Sequence, residues 1–158
     1  MLCQTCTDHP RFRNYWTDRI EMGLGMVCEE AARIILSEKE PMRLEILSVD
    51  DKEDVLPEDE KWLMDYRDNM LSEVKETGPI ARLREYLIYR HIADALYDDR
   101  LEERVNFIDR FVQTIQNEWD KSVGDFEALI EIVRQYSYDV EYDEDEKEKW
   151  IMREDTSI

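Results

Sequence analysis

The chain has 158 residues, of which 42% are hydrophobic and 39% are charged, and its formal net charge is −19. This length suits one domain with a real core, and so acidic a surface would repel nucleic-acid phosphates and anionic membranes, which excludes both as expected partners. No stretch approaches the roughly 18 apolar residues of a membrane span, no signal peptide is visible, and an odd number of cysteines argues against a closed disulfide framework. We therefore expect a cytoplasmic protein.

Glycine and proline are scarce, with four of each, which favours long helices. The first predicted helix spans 10–37 because apolar residues recur at three- and four-residue steps, with a kink or break expected at Gly23 and Gly25. Residues 42–49 partly alternate, which is typical of a short strand, and 136–142 are the other β-like candidate and its guessed partner. The acidic residues 50–58 indicate a loop.

Four further helices are predicted from the same periodicity, over 58–75, 79–97, 101–121 and 125–136. The helix over 101–121 carries apolar residues at steps of four, three, four, three and four, a seam suited to bundle packing. The fold class is therefore mainly α: an irregular bundle of about five helices, with room for one short β-hairpin or strand pair. We expect a single domain over 1–138, followed by an acidic, partly mobile tail over 139–158, in which Trp150 and its neighbours could dock.

The cysteines allow two interpretations. Cys3 and Cys6 have the Cys-x-x-Cys spacing at which both thiolates can reach one metal ion, with His9 and Cys28 as the available extra ligands. Alternatively, the pair lies in a frayed terminus and Cys28 is a small apolar residue on a buried helix face. The residues alone leave both interpretations open.

One histidine and the acidic clusters are the other candidates for chemistry. His91 falls on an apolar face, where a hydrogen-bonded residue at the edge of the core is favoured over a general base. The clustered acids around residue 100 and over 143–146 are typical of solvated faces. No Glu-x-x-His pair, calcium loop, phosphate loop or nucleophile elbow occurs, so the residues alone identify no reaction.

Two segments near the N-terminus resemble a known family. They read Cys6-Thr7-Asp8-His9-Pro10-Arg11-Phe12 and Cys28-Glu29-Glu30-Ala31-Ala32-Arg33-Ile34-Ile35-Leu36, followed by Glu40-Pro41-Met42. Together they resemble the flagellin lysine-N-methylase family of bacteria and its uncharacterised relatives. The similarity continues more weakly over 85–89 and 136–144. Glu29 stands where the family usually has proline.

The resemblance implies a lysine-N-methylase-like protein or its C-terminal helical domain, and by extension a protein-lysine N-methyltransferase. It also implies an iron–sulfur cluster, S-adenosylmethionine as methyl donor, and a partner with a lysine-rich surface such as flagellin. Cys6 would be a cluster ligand, and Cys3 and Cys28 are further candidates. The family-marking positions, none of which can be assigned a catalytic role, are His9, Pro10, Arg11, Glu30 and Arg33.

The same resemblance implies that the chain is inactive alone. Family members carry an upstream cysteine-rich segment, and residues 1–9 would be the flexible end of it, so the cluster would be incomplete. A nucleotide-binding strand–turn–helix is also missing from the predicted elements. The alternative function is a non-enzymatic, acidic helical interaction module, which could form homo-oligomers and would offer its acidic face to a basic partner.

Overall fold

A β-hairpin followed by helices makes up the part of the chain that the structure, a computed structural model, describes, residues 9–49 and 54–153. The two strands are β1 (Arg11–Tyr15) and β2 (Ile20–Leu24). The helices are α1 (Glu29–Ser37), α2 (Glu58–Glu73), α3 (Pro79–His91), α4 (Ala95–Asp98), α5 (Leu101–Lys121), α6 (Phe126–Tyr136) and α7 (Glu144–Ile151), with a π-helical segment (Ser137–Glu141) between α6 and α7. The mainly α class with one short hairpin is confirmed.

The hairpin replaces the first part of the long helix predicted over 10–37. β1 and β2 pair antiparallel with Arg11 opposite Leu24, and the turn is closed where the Trp16 amide donates to the Arg19 carbonyl at 2.9 Å. The prediction is wrong up to residue 28 because a four-residue apolar step is also a multiple of the two-residue period of a strand. Only α1 at the end of the range is helical.

The predicted strand pair over 42–49 and 136–142 is also wrong. Residues 42–49 have no regular structure, and Ile46 is 85% exposed. Residues 136–142 instead continue α6 into the π-helical segment, in which the Tyr142 amide donates to the Ser137 carbonyl at 3.2 Å. Alternation of apolar residues alone was therefore not sufficient to predict strands. Helical hydrogen bonds satisfy the backbone of 136–142, and within the described residues no strand pairs with 42–49.

The remaining helices lie close to their predicted positions. α5 has the predicted bounds, and α6 begins after Asp125, whose carboxylate caps it by accepting from the Glu127 amide at 3.0 Å. Gly78, at a φ of 98°, precedes Pro79 at the start of α3. The predicted third helix is divided, since α3 ends at His91 and α4 is separate.

Helix α3 lies at the centre of the core and packs against α1, α2 and α5. It is buried nearly all round, and its buried side chains include Arg82, Glu85 and His91. Charged groups that are buried this deeply need partners close by. The packing of α3 therefore decides where the polar sites of the molecule lie.

The acidic C-terminal stretch packs against the bundle as far as residue 151. Ile151 is 2% exposed, and the Trp150 ring contacts Phe107, Phe111 and Tyr136. The expected start of the tail at residue 139 falls inside the π-helical segment. Within the described ranges, every helix is too short or too polar to cross a membrane.

Candidate functional site

A buried polar network is centred on Glu141, at the end of the π-helical segment. Its carboxylate is 1% exposed, and Oε1 lies 2.7 Å from His91 Nε2 and 3.2 Å from Arg90 Nε. The Tyr86 hydroxyl lies 3.1 and 3.2 Å from the two carboxylate oxygens. All three partners come from α3, where Tyr86 and Arg90 lie four residues apart on one face and His91 directly follows Arg90. One carboxylate thus joins α3 to the π-helical segment.

The Tyr86 hydroxyl links this network to the turn after the hairpin. It donates to Glu141 and accepts from the Met26 amide at 3.3 Å and from the Arg90 guanidinium. A hydroxyl offers one donor and two acceptor positions, so its hydrogen-bonding capacity is full. Burial, and then the neighbouring Glu141 charge, raise the pKa of Tyr86 above its ordinary value, which keeps the phenol neutral.

The charge states of the network follow from its geometry. Burial tends to raise the pKa of Glu141, but the Arg90 charge and the His91 hydrogen bond more than offset it and lower that pKa to about 2. Burial lowers the pKa of His91, although the Glu141 carboxylate opposes this. At neutral pH we therefore assign a neutral His91 that donates from Nε2 to an ionised Glu141.

A cleft of about 520 Å³ lies beside the network and shares Tyr86 with it. Its walls come from the hairpin, α1, residues 38–44 and α3. The lining is mostly apolar, and its apolar and aromatic members are Phe12, Met22, Leu24, Ile34, Ile35, Pro41, Met42, Leu44, Tyr86 and Tyr89. A concave, largely apolar site with a few polar groups is the usual form of a ligand site.

A buried ion pair forms the polar part of the cleft wall. Arg82 and Glu85 are each 3% exposed, and Arg82 Nη2 lies 3.1 Å from Glu85 Oε1. Arg82 also donates to the Glu40 carbonyl, and Glu85 accepts from the Met42 amide at 3.1 Å. These bonds hold residues 40–42 against α3. Burial raises the pKa of Glu85 even though the Met42 amide and the Arg82 charge oppose the rise.

No family model, curated protein or solved structure matches this chain. The likeness to lysine-N-methylases therefore remains a prediction that rests on the quoted residues.

The first family-marking positions lie at the start of the hairpin. His9 and Arg11 are exposed. The Pro10 carbonyl accepts from the Gly25 amide at 2.6 Å, which ties residue 10 to the residue that follows β2. Pro10 therefore has a structural role at the base of the hairpin.

The other two positions lie on α1. Glu30 is exposed in its first turn. Arg33 forms a two-pronged pair with Glu127, at 2.5 and 2.7 Å, and a 3.2 Å contact with Glu29, so it joins α1 to α6. Neither side chain lines the cleft, although Ile34 and Ile35 of the same helix do.

The predicted metal ligands fall mostly outside the described ranges. Cys3 and Cys6 lie outside those residues, and Cys28 is half-buried directly before α1. Across 9–49 and 54–153, no three His, Cys, Asp or Glu side chains are grouped in a way that could hold a metal ion. His91 is buried and hydrogen-bonded, as the core-edge interpretation predicted.

Sequence reasoning missed the charged side chains that shape the site, above all Arg82, Arg90 and Glu141. One signal for them was available. Apolar residues occur on every side of α3, which is typical of a buried helix, so each charge buried in it requires a partner close by. The identity of those partners was not accessible, because Glu141 is about 50 residues away from α3's last turn.

Proposed function

We propose that the chain is a protein-interaction module whose cleft receives a lysine side chain of a partner protein. The observation that supports this is a convergence in space. The segments that carry the family resemblance are separate in the sequence, yet each contributes to the cleft or to the Glu141 network beside it. Phe12 comes from the first segment, Ile35 from the second and Met42 from the third.

The two weaker segments of the resemblance join the same site. Residues 85–89 contribute Glu85, Tyr86 and Tyr89 to the cleft wall. Residues 136–144 contribute Glu141, which bonds the Tyr86 hydroxyl. Segments selected for a shared function are expected to converge in this way on a binding site, whereas positions shared only for packing would be spread through the core.

The chemistry of the cleft suits a lysine side chain. The apolar wall would cover the methylene stem, which lysine buries readily while its ammonium stays polar. Three carboxylates line the cleft against two guanidinium groups, Arg43 and Arg82. The net charge of −19 would also speed the approach of a basic partner surface. A lysine-rich protein, with flagellin as the example that the resemblance implies, is the proposed partner.

Protein-lysine N-methylation is a second proposal, and it rests on the resemblance. It would require S-adenosylmethionine and an iron–sulfur cluster, and the described residues fit neither. Cys28 is the one cysteine among them. Gly23 lies in β2 and Gly25 directly follows it, so the two glycines belong to a strand–turn–helix instead of the helix expected there. The space beside them is filled, however, by the Phe12 ring at Gly23 and by the Tyr142 hydroxyl at Gly25. We therefore derive no reaction step through either group.

The lysine cleft is tested by nuclear magnetic resonance titration of the full chain with three short peptides that differ at one position: lysine, acetyl-lysine and norleucine. We expect shifts for the lysine peptide, concentrated at Phe12, Leu24 and Met42. The acetylated and norleucine peptides keep the stem but lose the charge, so we expect each to bind at least about tenfold more weakly, a difference of about 1.4 kcal/mol.

A matched pair of variants locates the binding. Ile34 and Ile20 are both exposed, at 53% and 62%, but only Ile34 lines the cleft. Ile34→Trp should fill the cleft and abolish the shifts, and Ile20→Trp should leave them unchanged. Equal binding of all three peptides, or shifts that persist in Ile34→Trp, would refute the proposal.

A further inference from the structure

A second pocket, of about 580 Å³, combines four aromatic rings with three carboxylates. It shares no lining residue with the cleft. Its lining, which we call the aromatic pocket, consists of Tyr136, Tyr138, Asp139, Val140, Tyr142, Asp143, Glu146 and Trp150. The proposed function does not use it, although residues 136–144 of the weaker resemblance supply most of its lining.

Two of the rings form a rigid corner. Tyr136 and Trp150 have centroids 6.2 Å apart and planes at 85°. Phe111 packs behind both, with centroids 6.0 Å from Tyr136 and 5.8 Å from Trp150. Because α5, α6 and α7 each contribute one of these rings, the corner is held by the core and needs no ligand to form.

The other two rings are open to solvent. Tyr138 is 61% exposed and Tyr142 is 43% exposed. Tyr138 lies in the π-helical segment and Tyr142 caps its end, where the Tyr142 amide donates to the Ser137 carbonyl. Single π-helical turns occur frequently at functional sites. Here the turn is anchored from inside by Glu141, which places an exposed aromatic side chain directly after a buried carboxylate.

The pocket is electrostatically suited to a cation. Among residues 9–49 and 54–153, no lysine, arginine or histidine lines it. Asp139 accepts from Gln135 at 2.8 Å, Asp143 caps α7 by accepting from the Glu146 amide at 3.0 Å, and Glu146 pairs with the exposed Lys149. The hydrogen bonds of the two aspartates are to neutral donors, and Lys149, which lies near Glu146 and Asp143, offsets only part of the three negative charges.

The rings already attract cations of the chain itself. The Arg90 guanidinium carbon lies 4.9 Å from the Tyr142 centroid, and that of Arg153 lies 5.2 Å from the Trp150 centroid. Neither arginine is part of the pocket lining. These contacts have the distance of cation–π interactions, in which the negative face of the ring attracts positive charge.

We propose that the aromatic pocket binds a methylated ammonium group, carried either by a small molecule of the choline type or by a methylated lysine side chain. Methyl groups spread the positive charge and weaken its hydration, so such a group loses little on leaving water and gains contact with several ring faces. An unmethylated ammonium is compact and strongly hydrated, and it would need hydrogen bonds that the rings do not offer. The carboxylates of the lining add electrostatic attraction for the positive charge.

The test is a titration of the full chain with choline and with its uncharged carbon isostere, 3,3-dimethylbutan-1-ol. The observed signals are the indole N–H of Trp150 and the backbone amides of 138–146. We expect choline to bind at least about fivefold more tightly than the isostere, which has the same shape and lacks only the charge. A trimethyl-lysine peptide is titrated in the same way into Ile34→Trp, in which the cleft is blocked. Whichever of choline and this peptide binds more tightly identifies the natural ligand class.

Two exposed tyrosines provide the matched variants. Tyr138→Leu removes a ring of the pocket, and Tyr97→Leu removes a ring that is 71% exposed and lies elsewhere. We expect Tyr138→Leu to weaken choline binding about fivefold, Tyr138→Phe to retain it, and Tyr97→Leu to leave it unchanged. The proposal is overturned if the isostere binds as well as choline, if neither methylated probe shifts the Trp150 signal, or if Tyr138→Leu binds like the parent chain.

Discussion

The imidazole Nε2 of His91 lies 2.7 Å from Glu141 Oε1, and both side chains are no more than 3% exposed. This bond connects the last turn of α3 to the π-helical segment. Because Arg90 shares the same carboxylate, a positive and a negative charge are buried together and stabilise each other. The stability of the whole fold should therefore depend on the charge of one side chain.

Replacing Glu141 by glutamine tests that dependence. The change keeps the shape but leaves the Arg90 charge buried without its counter-ion, so we expect the free energy of unfolding to fall by about 3 kcal/mol. The measurement is urea unfolding followed by circular dichroism. Glu102→Gln, an exposed residue in the first turn of α5, is the control and should change stability by less than about 0.5 kcal/mol. Equal effects of the two variants would contradict the assigned role of Glu141.

Acidification should reduce stability first through His91. Its ordinary pKa is 6.5 and burial lowers it in the folded state, so below about pH 6.5 the unfolded chain binds a proton that the folded chain does not. Stability should then fall as the pH drops through that range. The groups that face the imidazole are Glu141, Arg90 and Asp94. Urea unfolding midpoints between pH 7.5 and 5.5 measure the slope, and His91→Gln should flatten it; an unchanged slope in the variant would assign the effect elsewhere.

A second loss of stability should follow from Glu141 at lower pH. Its pKa falls from the ordinary 4.5 to about 2 in the folded state. Its contribution is therefore complete above about pH 4.5 and is lost as the pH falls towards 2. The difference in stability between the parent chain and Glu141→Gln, measured at several pH values, should shrink over this window. A constant difference would show that the carboxylate does not titrate as assigned.

Gly25 should tolerate no side chain while Tyr142 is present. A Cβ at residue 25 would lie 2.2 Å from the Tyr142 hydroxyl oxygen and 2.9 Å from the Pro10 carbonyl oxygen. We expect Gly25→Ala to reduce stability by about 1–3 kcal/mol, as overpacking usually does. Adding Tyr142→Phe removes the closer contact, so the double variant should recover part of the loss. Strictly additive effects would mean that the two residues do not touch.

Replacing both members of the buried pair Arg67 and Glu21 should reduce the stability of the fold less than replacing Glu21 alone. The two side chains are 1% and 6% exposed and 2.5 Å apart, with the Arg67 guanidinium between the Trp16 and Tyr89 rings at 5.4 and 5.3 Å. Glu21→Leu alone should cost about 3 kcal/mol, since it removes the buried counter-ion of Arg67 and leaves only the exposed Asp68, at 3.1 Å. Combined with Arg67→Met, the cost should be much smaller, because no buried charge remains. Thermal unfolding of the single and double variants decides between this outcome and additivity.

Local sequence patterns were sufficient to predict those helices whose apolar periodicity and end signals lie within one segment of the chain. α5 has an unbroken apolar seam, α6 has its capping Asp125, and α3 begins at Gly78-Pro79. The same kind of reasoning was wrong where one pattern fits two structures. In 10–28 the four-residue step suits both helix and strand. In α2 the large apolar Trp62 is 59% exposed, while Leu63 and Arg67 are buried.

By itself, the sequence determined a mainly helical, strongly acidic chain, because helix periodicity, capping and net charge are properties of neighbouring residues or of the whole composition. Only the tertiary structure decided that residues 11–24 pair as a hairpin, that Glu141 meets His91 and Arg90, and that separated segments enclose a cleft. These features depend on contacts between residues that are distant along the chain. Such contacts are selected by burial and by the requirement that each buried charge find a partner, and neither leaves a local signal.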